Sequence, residues 1–386
     1  MSEDRRLRAA IIGCGVIASD HVATVKTRCG PVQLALCDVN SGVAAALNEK
    51  HGLNATIHAD ARELLKEQPF DVVHILTPPD SHYELARLAI EAGAHVFVEK
   101  PMTLTLEETR SLYQFAEQKQ RLLCVGHSLL YMDCVRKALD LVRSGRIGRV
   151  VAMHCFFGHA EKQKTIPYRG VSHWSYRLPG GPLINLISHP ASVIVELLGR
   201  PGKLTYLSQS RNVMPHGYSD LLDVAVTTDA GVGTFIVSMA HGNASRYFTV
   251  ECEKGSISVD LARQLVTRRI QRPKLSIVSK LFGGIGQGTS LIAGTVSVLC
   301  RVVTGRLKPN PGTRELVARF YHAVRTQGQS PVSRDNVLGV AEIIEQVLVA
   351  GQACGDVKSW KALASVLQAC PPEGTGTHTS LPKGTL

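Results

Sequence analysis

The residues best placed by type and spacing to do chemistry are the turn Gly13-Cys14-Gly15-Val16-Ile17-Ala18 and, about 85 residues later, the run Val96-Phe97-Val98-Glu99-Lys100-Pro101. The second puts an amine at the carboxyl end of an apolar strand. Ligands of open α/β sheets collect there, and oxidation of a hydroxyl needs a proton acceptor there. Pro101 biases Lys100 to extended backbone geometry, which holds its side chain toward the crevice at the strand ends. A neutral Lys100 would take the hydroxyl proton while hydride leaves the same carbon; an ammonium would polarise the carbonyl in the reverse direction.

The glycine turn follows a predicted strand and opens a predicted helix. Gly13 permits the tight turn, Gly15 lets the backbone approach a pyrophosphate, and Ala18 is small enough for close packing of helix on sheet. The amides at the helix start, at Val16 and Ile17, face the phosphates. Asp38, at the end of the next strand, is suited to accept hydrogen bonds from ribose hydroxyls and to repel an added phosphate. Val39, Asn40 and Ser41 offer no Arg to offset that repulsion, so NAD is favoured over NADP.

The elements that must position these groups follow from the hydrophobic pattern. Strands are expected at Arg8–Ile12, Gln33–Leu36, Thr56–Ile57, Val72–Leu76, His95–Val98 and Leu122–Val125, with helices between them. This alternation is solved by a parallel sheet covered on both faces. After a helix near Val135–Arg143 the pattern changes to apolar-polar alternation, at Val150–Phe157, Leu204–Ser208, Asp223–Thr228, Gly233–Met239, Tyr247–Glu251 and Ser256–Val259. That argues for an antiparallel sheet. One helix, Leu183–Leu198, interrupts it, and two late helices, Arg314–Val324 and Val337–Val349, are expected to pack back on one of the two domains. The expected organisation is an α/β protein: a doubly wound Rossmann domain at 1–126, an α/β domain with an open, mostly antiparallel sheet at 127–370, and a mobile tail at 371–386.

On these motifs the chain resembles the Gfo/Idh/MocA family of oxidoreductases. The matching elements are Gly13 to Ala18, Asp38, Thr77-Pro78-Pro79 with His82, Ala92-Gly93-Ala94-His95-Val96 leading into Glu99-Lys100-Pro101, the turn Ser144-Gly145-Arg146-Ile147-Gly148, and Gly180-Gly181 through His189. The resemblance implies a Rossmann domain joined to a sheet domain whose face often makes an oligomer contact, hence a homo-oligomer. It also implies a sugar, polyol or nucleotide-linked sugar as substrate. Cofactor contacts are then expected at Thr77, Pro78, His82, Glu99 and Lys100 beside the glycine turn. The family's catalytic lysine falls on Lys100, and its Asp and His, four residues apart, fall on Asn185 and His189.

Two departures matter. Asn185 can orient a hydroxyl but cannot accept a proton, so base chemistry falls to Lys100 or His189, with the imidazole the more natural carrier. Pro190 removes an amide from the helix and strains the argument that Asn185 and His189 share a face. On the substrate side, His173-Trp174-Ser175-Tyr176-Arg177 collects ring surfaces and a guanidinium, with Trp174, Tyr176, Arg177 and Tyr131 as candidates.

Composition narrows the class further. The ten cysteines have no Cys-x-x-Cys pair and no metal-ligand spacing, which fits reduced thiols in the cytoplasm and no metal. The charged start, broken at Gly13, carries no signal-peptide core. Net charge is +11, and the stretch 261–310 holds nine Lys or Arg and no Asp or Glu. No aromatic-interleaved or zinc motif accompanies it, so nucleic acid is not expected. Within that stretch Ser290–Val303 is amphipathic, with Ile292, Val296, Leu299 and Val303 on one face. Its 14 residues reach about 21 Å, too short to span a bilayer of roughly 30 Å, though peripheral contact with a membrane through 263–308 is open. Two other activities stay open: a tightly held NAD used transiently for epimerisation, elimination or glycoside cleavage, and a dinucleotide-binding sensor or scaffold.

Overall fold

The computed structural model describes residues 5–160, 173–214, 218–270, 277–304 and 310–353. The expected tail lies outside them. The first six strands, β1 (Leu7–Ile12), β2 (Val32–Cys37), β3 (Thr56–His58), β4 (Val72–Ile75), β5 (His95–Val98) and β6 (Leu123–Val125), form one sheet in the order β3-β2-β1-β4-β5-β6. All pairs are parallel. The chain winds one way from β1 to β2 and the other way into β4, so a crevice opens beyond the carboxyl ends of β1 and β4. Gly13, Thr77 and Lys100 all lie just past such strand ends.

The helices between them are α1 (Ala18–Arg28), α2 (Ser41–His51), α3 (Ala61–Glu67), α4 (His82–Glu91) and α5 (Leu106–Gln118). Local chemistry starts several of them. Asp60 accepts from the amides of Arg62 and Glu63 to open α3, and Thr105 accepts from the amide of Glu108 to open α5.

The second domain begins with α6 (Asp133–Arg143) and builds a seven-stranded sheet from β7 (Val150–Ala160), β8 (Pro201–Gln209), β9 (Leu221–Thr228), β10 (Val232–Ser238), β11 (Ala240–Cys252), β12 (Gly255–Asp260) and β13 (Leu265–Ile270). The order is β13-β12-β11-β7-β10-β9-β8, antiparallel except between β7 and β10. β13 was not foreseen, because Leu265-Val266-Thr267-Arg268-Arg269-Ile270 has too little alternation to announce a strand. α7 (Pro182–Leu198) lies on this sheet and is buried almost all round, which explains its near-continuous apolar sequence. It runs unbroken through Pro190. A proline there removes a single amide, and burial on every side holds the rest of the helix.

Three more helices complete the chain: α8 (Ile277–Val303), α9 (Pro311–Thr326) and α10 (Arg334–Ala353). α8 starts 13 residues before the expected Ser290, since four glycines at 283, 284, 286 and 288 hide its period. α9 belongs to the Rossmann core, with Phe320 and Tyr321 fully buried there. The Arg325 guanidinium fastens it by donating to the carbonyls of Arg5, Cys29 and Pro31. α10 joins both cores, through Val337 on the Rossmann side and Val340, Ile343 and Val347 on the other.

Candidate active site

A cavity of about 610 Å³ lies between the two domains, walled by Ile17 of the glycine turn, Glu99, Lys100, His189, Phe157, Arg246, Gln264 and the start of α9. It brings the two halves of the expected site together. Lys100 leaves the end of β5 through a cis bond to Pro101. Its Nζ donates to the side-chain oxygen of Asn185 at 2.9 Å and to the Asn185 carbonyl at 3.0 Å. Burial lowers the Lys100 pKa to about 8, against the opposing pull of Glu99. An aspartate at 185 would hold the ammonium; the neutral amide does so far less. As a free amine, Lys100 spends both N–H groups on Asn185 and keeps its lone pair for the cavity.

His189 lies one turn beyond Asn185 on α7, half-buried on the cavity wall, with its ring stacked on Phe157 at 6.5 Å. Burial pushes it well below the ordinary histidine range, and the cations of Lys100 and Arg246 push the same way. At neutral pH it is an uncharged ring. Desolvation and two cationic neighbours set this direction, and none of these is legible from local spacing.

The cofactor side fits a dinucleotide on this chain's own geometry. Gly13 has φ +91°, and a Cβ there would fall 2.8 Å from the backbone of Leu76 and Thr77, so the turn must be glycine. Above Gly15 there is open space. The amides of Gly15, Val16 and Ile17 have no protein acceptor among the described residues, and Val16 and Val39 are 97% and 94% exposed. Unused donors beside uncovered apolar side chains suit a phosphate and an adenosine. The Asp38 carboxylate is oriented by the amides of Cys14 and Asn40, at 2.8 and 2.9 Å. Thr77 and Pro78 flank the turn across from Gly13. His82 is a correction to the sequence reading. It is 1% exposed, and its two ring nitrogens face the carbonyl oxygens of Thr77 and Pro101 at 2.7 and 2.9 Å. It is a strut between two loops of the site rather than a cofactor contact.

Two substrate candidates also move. The Tyr131 hydroxyl donates to the carbonyl of Pro331, and its ring faces a different cavity, lined by Arg136, Glu196 and Arg319. Tyr176 is 2% exposed in the second core, edge-on to Tyr218. Both sit in loops that sequence placed near the crevice, but their rings serve the packing between elements. Trp174 is half-buried against His173, and Arg177 is exposed and lies 3.8 Å from Asp80, which bridges the second domain to the turn after β4.

Sequence reading missed a buried file of polar groups behind Glu99. His21 Nε2 stands 3.4 Å from Glu99 Oε1, His21 Nδ1 lies 3.0 Å from His74 Nδ1, and His74 Nε2 lies 3.0 Å from the Tyr321 hydroxyl. His21, His74 and Tyr321 are fully buried. Burial alone would raise the Glu99 pKa, but His21, Lys100 and the Lys100 amide outweigh it and the net direction is down. An ionised Glu99 only accepts. Burial holds His74 well below the ordinary histidine range, and its ring links His21 on one side to the Tyr321 hydroxyl on the other. The available signal was a histidine in the otherwise apolar strand Val72-Val73-His74-Ile75. Arg246 and the link from His127 Nδ1 to the Asn336 side-chain oxygen, 2.9 Å, were missed too, because both depend on contacts remote in sequence.

Comparison with known proteins agrees with this fold. Residues 7–127 match the family model for oxidoreductases with an NAD-binding Rossmann fold, Gfo/Idh/MocA, and residues 135–258 match the Gfo/Idh/MocA C-terminal domain. The chain is 31% identical over 196 residues to the D-glucoside 3-dehydrogenase of Escherichia coli, covering 50% of this chain and 55% of that protein, so it spans about half the length of this relative. It is 29% identical over 281 residues to the inositol 2-dehydrogenase of Salmonella typhimurium, covering 70% and 79%. In fold it is similar to the WlbA dehydrogenase of Bordetella pertussis in complex with NADH and UDP-GlcNAcA, with TM-score 0.71, 17% identity and coverage of 91% and 97%. A levoglucosan dehydrogenase in complex with NADH and levoglucosan has TM-score 0.72, 18% identity and coverage of 90% and 98%. With both of its domains matched in this way, the chain belongs to the Gfo/Idh/MocA family of oxidoreductases.

Proposed function

We propose that the protein is an NAD-dependent dehydrogenase for a secondary hydroxyl of a sugar, cyclitol or nucleotide-linked sugar, with Lys100 as the proton acceptor. The observation that carries this is the Lys100 amine, clamped by Asn185 and facing the cavity shared by Ile17 and His189. When bound against the glycine turn, NAD supplies the two-electron acceptor. The amides of Gly15, Val16 and Ile17 would hold its phosphates and Asp38 its ribose.

Lys100 accepts the hydroxyl proton on its lone pair, at a pKa near the working pH. His189, neutral, orients the same oxygen by hydrogen bonding. Asn185 keeps the amine from swinging away in either protonation state, because its two oxygens remain acceptors. Arg246, on the cavity wall, is placed to pair with a phosphate or carboxylate, which favours a substrate carrying one over a neutral sugar.

The test is to incubate the purified protein with NAD and a panel of neutral sugars, cyclitols, uronic acids and nucleotide sugars, reading the absorbance of the reduced cofactor. Turnover on an anionic or nucleotide-linked sugar is expected. Failure to bind either nicotinamide cofactor would overturn the proposal.

A further inference from the structure

The second half of α8 is docked inside out. Gly294 faces its own domain, where a Cβ would lie 3.0 Å from Leu265, and Arg301 reaches the Gln264 side chain at 3.3 Å and Asp133 at 3.4 Å. The opposite face carries the apolar residues, and it is turned to solvent: Ile292 is 67% exposed, Val296 52%, Leu299 59% and Val303 78%. Leu291 and Val302 widen the stripe, so six of the fifteen large apolar side chains left exposed among the described residues lie within four turns of one helix. A helix that packs alone on its domain puts its apolar face inward. This one keeps that face for something else.

Charge says what. The segment 261–310 that contains the stripe has nine Lys or Arg and no acid, and Arg268 and Arg269 stand exposed on β13, the strand against which α8 packs. A second copy meeting this face about a two-fold axis would bring the same cations against each other. An anionic bilayer meets both demands, taking the apolar side chains at the acyl boundary and the cations among its headgroups. Among the described residues no helix is long and apolar enough to cross a membrane.

We propose that α8 lies in the plane of an anionic lipid surface and docks the protein there through the Ile292, Val296, Leu299 and Val303 face. The stripe acts by burial and the basic residues of the segment by attraction to phosphate.

The experiment is flotation of the full chain with vesicles of equal parts phosphatidylcholine and phosphatidylglycerol, and with phosphatidylcholine alone, at low and high salt. The protein is expected to float with the anionic vesicles and to release as salt rises. Ile292→Ser with Leu299→Ser should lower partitioning by roughly tenfold or more. Arg268→Gln with Arg269→Gln should lower it about five-fold per cation. All four positions are exposed, so melting temperature and NAD binding should hold and report that the fold is intact. Two results overturn the proposal. One is no flotation with either vesicle. The other is a dimer that the serine pair converts to monomer while lipid partitioning stays unchanged, which would give the face to a second copy.

Discussion

Lys100 is approached from two sides that are built differently. On the Rossmann side, His21, His74 and Tyr321, closed to solvent, stand in a file behind Glu99. On the other side, Asn185 and His189 meet the lysine across an open cavity, where burial and neighbouring cations rather than a chain of partners set the charge state. A closed file fixes a protonation state as part of folding, and breaking it costs stability. A wall facing a cavity can change its protonation or its partners when ligand arrives, and breaking it costs rate.

The largest effect is expected at the residue both sides share. Lys100→Met should lower kcat by roughly a hundred- to ten-thousand-fold while NAD affinity, measured by titration, stays nearly unchanged. Turnover close to the parent value would remove the lysine from the chemistry and the comparison with it.

The next test sets the two sides against each other. His189→Ala should reduce kcat about a hundredfold with little change in unfolding free energy. His74→Leu leaves the Tyr321 hydroxyl and His21 Nδ1 without a buried partner and should cost roughly 2–5 kcal/mol in denaturant unfolding. Similar profiles for the two variants would show that the sides do not differ as their partners suggest.

The smallest effect is the most specific. With the Lys100 pKa lowered to about 8, the rate of oxidation should rise as pH climbs through that value, because the neutral amine is the acceptor. The same lysine titrates near 10.5 when unfolded, so between the two values the unfolded chain binds more protons and stability also rises with pH. Asn185→Asp puts a negative charge beside Nζ and should move the rate midpoint up by roughly 1–2 pH units. A pH-rate profile that does not move would place the titrating group elsewhere.

The parallel sheet was legible because its signals are local: buried strands at regular spacing, Gly13 where a side chain would strike Leu76 and Thr77, and Lys100 next to a strand end. The second sheet was legible through its alternation, except β13. The errors fall where a residue's neighbours are far along the chain. Tyr131 is claimed by Pro331, Tyr176 by the core beside Tyr218, and His82 by two carbonyls that no spacing rule joins.

The amino-acid order by itself determined the two kinds of sheet and the glycine turn and set Lys100 just past a strand end, since each rests on patterns that act over a few residues. Only the tertiary structure decided that Asn185 would clamp that lysine, that His189 would stay neutral, that three buried groups would stand behind Glu99, and that α8 would turn its apolar face outward. Desolvation and packing set these, and both depend on which distant segments meet, a quantity no local pattern contains.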